Sequence, residues 1–131
     1  MSEQELNALL LRDVARTVVS LEDIEAVRRA RNPRRLYLMF GGTSHVFAYR
    51  KVEEALEDFD TLLAYMGDNA LVLNDMEPTF VDKSAILGVR DFAFREELIV
   101  ILPGWTLICK FGSEEDRLEA YKKAADVLLG P

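Results

Sequence analysis

The apolar and polar positions of the chain recur with an offset of 62 residues. This offset aligns residues 7–66 with residues 69–128 without a gap and gives 15 identities over 60 pairs, against roughly one match in sixteen for unrelated sequences. Conservative pairs, such as Tyr49 with Phe111 and Phe59 with Tyr121, reinforce the match. The sequence therefore predicts a single domain, 1–131, built from two repeats, 7–67 and 69–130.

Short apolar runs predict the first strands of each repeat. Ala70–Leu73 is apolar and ends at turn residues, which is typical of a strand. Because Ala8–Arg12 aligns with it, we predict a strand there as well, although Ser2 and Glu5 at capping-box spacing would suit a helix start. Second strands at 17–20 and 79–82, tight turns, and third strands that in the first repeat reach about Arg31 complete this part of the prediction.

A hairpin and a helix end each repeat. Glycine-containing two-residue loops, Gly41-Gly42 and Pro103-Gly104, separate apolar runs and predict tight turns with positive φ. Apolar residues at helical spacing predict helices over 52–66 and 114–129, and Gly67 and Gly130 stand where the helices would stop. In the second helix the predicted buried residues are Leu118, Tyr121, Ala125 and Leu128.

These elements predict an α+β fold: a tandem duplication of a unit of about four antiparallel strands followed by one helix, related by a pseudo-twofold axis. Alternation makes both faces of each hairpin apolar, and one helix covers only one face. The second face must meet the other repeat or another molecule, so a homodimer is also expected.

The order of elements, strands followed by a helix in tandem, resembles that of the Whirly family of single-stranded-DNA-binding proteins. The resemblance covers most of the chain and rests on this order alone, without a shared motif. It implies binding of single-stranded DNA and assigns no residue to that function.

Composition narrows the class of protein. Half of the residues are hydrophobic and 30% are charged, which is typical of a folded chain, and the net charge of −7 opposes broad attraction to phosphate backbones. The amino terminus is acidic and unlike a signal peptide, no apolar run approaches the ~20 residues of a membrane helix, and the chain has one cysteine. We therefore expect a soluble cytoplasmic protein that does not bind membranes.

Candidate catalytic groups are few. His45 lacks an identifiable orienting partner, and Cys109 aligns with Phe47 on an apolar face, so a buried inert thiol is expected. Asp58, Asp60, Asp68 and Asp75 could form a carboxylate magnesium site, but no phosphate-binding glycine loop accompanies them. The sequence predicts no enzyme activity, no cofactor and no metal site.

The most unusual segment is the basic cluster Arg28–Arg35, which contains five arginines within eight residues of an acidic protein. Guanidinium groups suit phosphates or carboxylates, and the other interpretation is a solvated face neutralised by nearby acids. Arg28 recurs as Arg90 and is a candidate for the framework. The predicted partner-binding residues are Arg29, Arg31, Arg34 and Arg35.

Two functions follow as hypotheses. The leading one is a non-catalytic regulatory or adaptor protein that docks onto a protein partner, suggested by the absent catalytic set, the acidic surface and the sheets with two apolar faces. The alternative is binding of single-stranded DNA or RNA through the Arg28–Arg35 cluster, with Tyr37, Tyr49 or Trp105 offering stacking faces.

Overall fold

A computed structural model describes residues 7–130 and shows an α+β fold of mostly antiparallel strands with two α-helices. The capping-box pair Ser2 and Glu5 lies outside the described residues. The first half contains β1 (Ala8–Leu10), β2 (Val18–Ser20), β3 (Ala26–Arg29), β4 (Arg35–Phe40), β5 (Thr43–Ala48) and α1 (Val52–Met66). The second half contains β6 (Ala70–Leu73), β7 (Thr79–Asp82), β8 (Gly88–Phe92), β9 (Glu97–Leu102), β10 (Trp105–Lys110) and α2 (Glu114–Leu129). Each half thus has five strands, where the sequence predicted about four.

Element positions recur between the two halves. Strands β1, β3, β4 and β5 and helix α1 each begin 62 residues before β6, β8, β9, β10 and α2, and only β2 departs from this offset, by one residue. Short 3₁₀ turns, Leu21–Asp23 and Lys83–Ala85, follow β2 and β7. The predicted turns between second and third strands are therefore present in both halves.

Strands from both halves form the central sheet. Its order is β5-β4-β3-β7-β6, while β10-β9-β8 and β1-β2 form two smaller sheets. The two halves join where β3 pairs with β7, with Ala26 opposite Val81 and Arg28 opposite Thr79. The strands β6 and β7 therefore pair with the first half instead of with the rest of their own half.

Two hydrophobic cores lie on opposite faces of this central sheet. One contains Val27, Leu38 and Phe80 together with residues of α1 and of the β1-β2 sheet. The other contains Ala26, Met39 and Val81 together with residues of β9, β10 and α2. Because adjacent residues of a strand point to opposite faces, β3 and β7 each supply both cores. The second half thereby covers the apolar face that α1 leaves open.

Helix α2 buries a different stripe from the one predicted. Its buried residues are Arg117, Ala120 and Ala124, whereas Leu118, Tyr121 and Leu128 are exposed. The helix turns its alanines toward the sheet because Arg117 reaches inward, where Nε donates to Asp91 Oδ1 at 2.7 Å and Nη1 donates to Glu96 Oε1 at 3.2 Å. The contact between α2 and the sheet is therefore formed by small side chains together with this ion pair. The predicted cap is present, since Ser113 Oγ accepts a hydrogen bond from Asp116 N.

The two hairpin turns contact each other. Gly42 and Gly104 have φ of +78° and +81°, which confirms the predicted positive φ, and a Cβ placed on Gly104 would lie 3.6 Å from Gly42 Cα. The turns of the two halves are therefore packed backbone against backbone, and a side chain at either glycine would face strain in the left-handed region.

We expect Gly42→Val and Gly104→Val each to lower the free energy of unfolding by about 1–2 kcal/mol or more, because a β-branched residue disfavours positive φ. Urea unfolding of each variant measures the loss. Gly112→Val is a suitable control, because Gly112 is exposed, its φ is not in the left-handed region, and it has open space around it. Equal stability of Gly42→Val and the wild type would contradict the prediction.

A buried ion pair lies where the two halves meet. Arg28 Nη2 donates to Asp75 Oδ2 at 3.2 Å, and Arg28 Nε donates to Thr79 Oγ1 at 2.9 Å. Burial raises the pKa of Asp75 from 3.8 to about 6, although Arg28 acts to lower it. The Asp75 carboxylate therefore binds a proton more tightly in the folded protein than in the unfolded chain.

This shift predicts a pH-dependent stability. The contribution of Asp75 is fully present below about pH 4 and is lost as the pH rises through 6, up to about 3 kcal/mol. Urea unfolding of the wild type and of Asp75→Asn at about pH 4 and pH 7.5 isolates it. The wild type should lose stability relative to the variant as the pH rises, and a pH-independent difference would contradict the prediction.

Candidate functional site

The arginines of the Arg28–Arg35 cluster divide into structural and exposed groups. Arg28 is committed to Asp75 and Thr79, and it also donates to the carbonyl of Ile108 at 3.0 Å. Arg29 is half-buried, with its guanidinium 5.9 Å from the centre of the Phe59 ring. The structure therefore supports the assignment of Arg28 to the framework, and it gives Arg29 a packing contact with α1.

Arg31 and Arg34 are exposed on the turn between β3 and β4, and Arg35 is exposed at the first position of β4. Their backbone is held in place: Asn32 Oδ1 accepts from Arg34 N at 3.0 Å, and the Asn32 carbonyl accepts from Arg35 N at 3.0 Å. Among residues 7–130 no carboxylate forms an ion pair with these three side chains. The turn thus presents free guanidinium groups on a fixed backbone.

The fold brings a second group of arginines beside this turn. Tyr49 N donates to the carbonyl of Arg34 at 2.7 Å, and Val14 N donates to the carbonyl of Ala48 at 2.8 Å. The 12–16 turn and the 31–35 turn therefore flank the same end of β5, about 10 Å apart at two strand spacings. Arg12, Arg16 and Arg50 join the exposed arginines there. We call Arg12, Arg16, Arg31, Arg34, Arg35 and Arg50 the arginine surface.

A small cavity opens between the 12–16 turn and α1. Its volume is about 160 Å³, and Arg12, Arg16 and Arg50 line it together with Asp13, Val14 and Glu54. Within the described residues Arg16 and Arg50 form no ion pair, while Arg12 contacts Glu57 on α1. Three arginines and two acidic residues therefore line one cavity, and guanidinium groups are suited to binding an oxyanion such as phosphate.

The backbone of the 12–16 turn is fixed by two buried carboxylates. Asp13 accepts from Thr17 N and Thr17 Oγ1, both at 2.8 Å. Asp58 accepts from Arg12 N at 2.7 Å and from Tyr49 OH at 2.8 Å. Arg16 adopts φ of +54°, a conformation that is costly for a residue other than glycine. These hydrogen bonds hold the backbone of the turn in place despite that cost.

The aligned positions of the second half lack this charge. Arg12, Arg16 and Arg50 align with Asn74, Pro78 and Gly112, and Arg31, Arg34 and Arg35 align with Ala93, Glu96 and Glu97. The second half builds the same strands and helix without them. The fold therefore does not require the arginine surface.

Most of the aromatic residues considered for base stacking are buried or have other contacts within the protein. Tyr49 is buried, and burial with the Asp58 hydrogen bond raises its pKa well above the usual range, so it cannot stack on a base. Trp105 is half-buried and its Nε1 donates to Glu25 Oε1 at 3.0 Å. Tyr37 and Trp105 both pack against a core while lining a cavity of about 350 Å³. Of the three, Tyr49 is a wrong prediction.

The remaining polar candidates do not form a reactive set. His45 is exposed, lies opposite Leu38 as predicted and stacks on Phe40. Cys109 is buried, and burial raises the pKa of its thiol to about 12, as expected of an inert cysteine. Over residues 7–130 no group of three histidine, cysteine or carboxylate side chains is placed to hold a metal ion. The four aspartates considered for a magnesium site therefore do not lie together.

Neither protein-family models nor curated proteins match the chain. Among solved structures, it is similar to the LytTr DNA-binding domain of a methyl-accepting/DNA response regulator from Bacillus cereus. The TM-score is 0.52 at 12% identity, and the match covers 95% of this chain and 98% of that chain. At this identity the likeness shows the fold.

This likeness corrects the leading functional prediction. A chain of this fold is described as a DNA-binding domain, so the prediction of an adaptor that docks onto a protein partner is wrong. The prediction also assumed an apolar sheet face that is free to bind a partner. The second half of the chain covers that face. The alternative of nucleic-acid binding agrees better with the fold.

In the described part of the chain, neither helix is long and apolar enough to span a membrane.

Proposed function

We propose that this protein is a non-catalytic nucleic-acid-binding protein and that its arginine surface contacts the phosphate backbone. One observation carries the proposal: Arg16, Arg31, Arg34, Arg35 and Arg50 are exposed on segments that flank one end of β5, and among residues 7–130 their side chains form no ion pair. In a chain of net charge −7, such a concentration of free guanidinium groups is unusual.

Phosphate fits these groups better than a protein carboxylate does. Arg12, Arg16 and Arg50 line the same 160 Å³ cavity, and guanidinium forks bind phosphate oxygens through paired hydrogen bonds. The Arg31–Arg35 turn lies about two strand spacings away, so a strand seated in the cavity would carry further phosphates toward it. The fold similarity to a DNA-binding domain points in the same direction.

The acidic remainder of the molecule restricts where a polyanion binds. Asp and Glu outnumber Lys and Arg by 23 to 16 over the chain, so surfaces away from the arginines repel phosphate. The exposed arginines would then determine where on the protein a nucleic acid binds. Affinity should be moderate and strongly dependent on salt.

The proposal predicts the behaviour of a triple variant. Arg31→Gln, Arg34→Gln and Arg35→Gln together should weaken oligonucleotide binding at least tenfold, because each charged interaction contributes about 1–3 kcal/mol. The slope of log K against log salt should fall by about 0.7–0.9 for each phosphate that the variant no longer neutralises. Fluorescence anisotropy at several salt concentrations measures both quantities.

A matched control removes equal charge elsewhere. Lys110, Lys122 and Lys123 are exposed on β10 and α2, and their joint replacement by Gln changes the net charge as much as the arginine variant does. The control should bind as the wild type does. Equal weakening in the two variants would show that only net charge matters, and the arginine surface would lose its assigned role.

We also propose that the chain, as one domain over 1–131, arose by tandem duplication, with repeats 7–67 and 69–130 related by a pseudo-twofold axis. The matching element positions and the paired glycine turns support this proposal. The equivalent aspartate–threonine pairs Asp13–Thr17 and Asp75–Thr79 support it further, since each aspartate accepts from the hydroxyl of its threonine.

A homodimer is a further proposal, supported by the apolar stripe of Leu118, Tyr121 and Leu128 that α2 exposes. Leu118→Glu should then shift the protein toward monomer, because a charge in a buried interface lacks a partner. Light scattering of wild type and variant over a hundredfold concentration range measures the shift. A wild-type species of 14.9 kDa at every concentration would contradict the proposal.

A further inference from the structure

Two arginine–phenylalanine pairs lie on the second half of the chain, at the end of β8 and the 3₁₀ turn Ala93–Arg95. The Phe92 and Phe94 rings pack edge to face, with centres 5.5 Å apart. The guanidinium of Arg90 lies over Phe92 at 5.9 Å, and that of Arg95 lies over Phe94 at 5.7 Å. These four residues form a group of flat side chains, the aromatic platform.

Phe94 is the outermost member of the aromatic platform. Its side chain is 80% exposed, more than any large apolar residue of the described chain except Leu129 near the carboxyl end of α2. Leaving a phenylalanine in water is unfavourable, and Phe94 lies outside both hydrophobic cores. Its aligned residue in the first half is Asn32, so the fold does not require an aromatic side chain there.

The charges around the aromatic platform leave it positive. Asp91 and Glu96 lie beside it, but both carboxylates form ion pairs with the buried Arg117. Arg90 and Arg95 form no ion pair within the described residues. An anionic strand approaching Phe94 would therefore meet two free guanidinium groups.

We propose that Phe94 stacks on an unpaired base of a nucleic-acid strand, with Arg95 and Arg90 next to the adjoining phosphates. This inference rests on the proposed function and specifies its ligand as a strand with accessible bases. Nucleobases stack on aromatic rings and on guanidinium planes, and the platform offers both. Arg95 lies over the Phe94 ring, and because Phe94 is 80% exposed, much of the ring is accessible to a base.

The same geometry disfavours insertion into a duplex. A side chain that wedges between two base pairs needs both ring faces free, whereas Phe94 has Arg95 over one face and Phe92 against its ring. An unpaired base can instead approach from the open side. The experiment therefore includes a duplex probe, which tests insertion of Phe94 between base pairs.

The test compares three oligonucleotide probes of equal phosphate count: a twelve-residue oligothymidine, the same backbone with abasic sites, and a duplex. Phe94→Ala should bind oligothymidine about tenfold more weakly than the wild type, since each stacked base is worth a factor of this order. Its affinity for the abasic strand and the salt slope should not change, because every arginine that faces a phosphate is still present.

Two further variants complete the design. Phe94→Trp should restore tight binding, and the added indole fluorescence should be quenched by oligothymidine but not by the abasic strand. Leu87→Ala is the matched control, because Leu87 is a 62% exposed apolar residue that precedes β8. It should bind every probe as the wild type does.

The outcomes separate this inference from the proposed function. Unchanged binding by Phe94→Ala, equal weakening on the abasic strand, or a larger loss on the duplex would each overturn the stacking role. In those cases the arginine variant would still lose affinity if the proposed function holds. A wild-type protein that binds none of the three probes would instead overturn the proposed function itself.

Discussion

Backbone hydrogen bonds between β3 and β7 hold the two halves of the chain in one sheet. Each of these strands sends adjacent residues to opposite faces, so Ala26 and Val81 enter one core while Val27 and Phe80 enter the other. Arg28 crosses the same junction to reach Asp75. Because both cores include residues of this strand pair, neither half could bury its apolar face in the observed way without the other.

The same junction leaves the two halves free to differ at their ends. In the first half, Asp58 anchors the 12–16 turn to α1 and exposed arginines gather around it. In the second half, Arg117 is buried and holds Asp91 and Glu96 instead. The first half therefore gathers six exposed arginines at its turns, whereas the second half exposes Arg90 and Arg95 and buries Arg117. The two halves thus carry unlike surfaces, because exposed arginines gather on one and Phe94 is exposed on the other.

Fixed backbone is common to both turns of the arginine surface. Asn32 and Asp13 accept main-chain hydrogen bonds in the turns that carry the arginines, and Arg16 is kept at positive φ. Ordered turns lose less conformational entropy when they bind than flexible ones do. A ligand of the arginine surface would therefore require less ordering of these turns than a ligand of a flexible loop would.

The sequence by itself determined the strand and helix positions, the glycine turns and the burial of Cys109, because periodicity and positive φ are local properties. It also identified the basic cluster. Only the tertiary structure decided that β7 pairs with β3, that Arg28 is internal and that Arg12, Arg16 and Arg50 join Arg34. The predicted buried stripe of α2 was wrong because it also depends on contacts between residues that are distant in the chain. Hydrophobicity favours leucines inside, whereas the Asp91–Arg117 ion pair, formed between residues distant in the chain, turns the helix the other way.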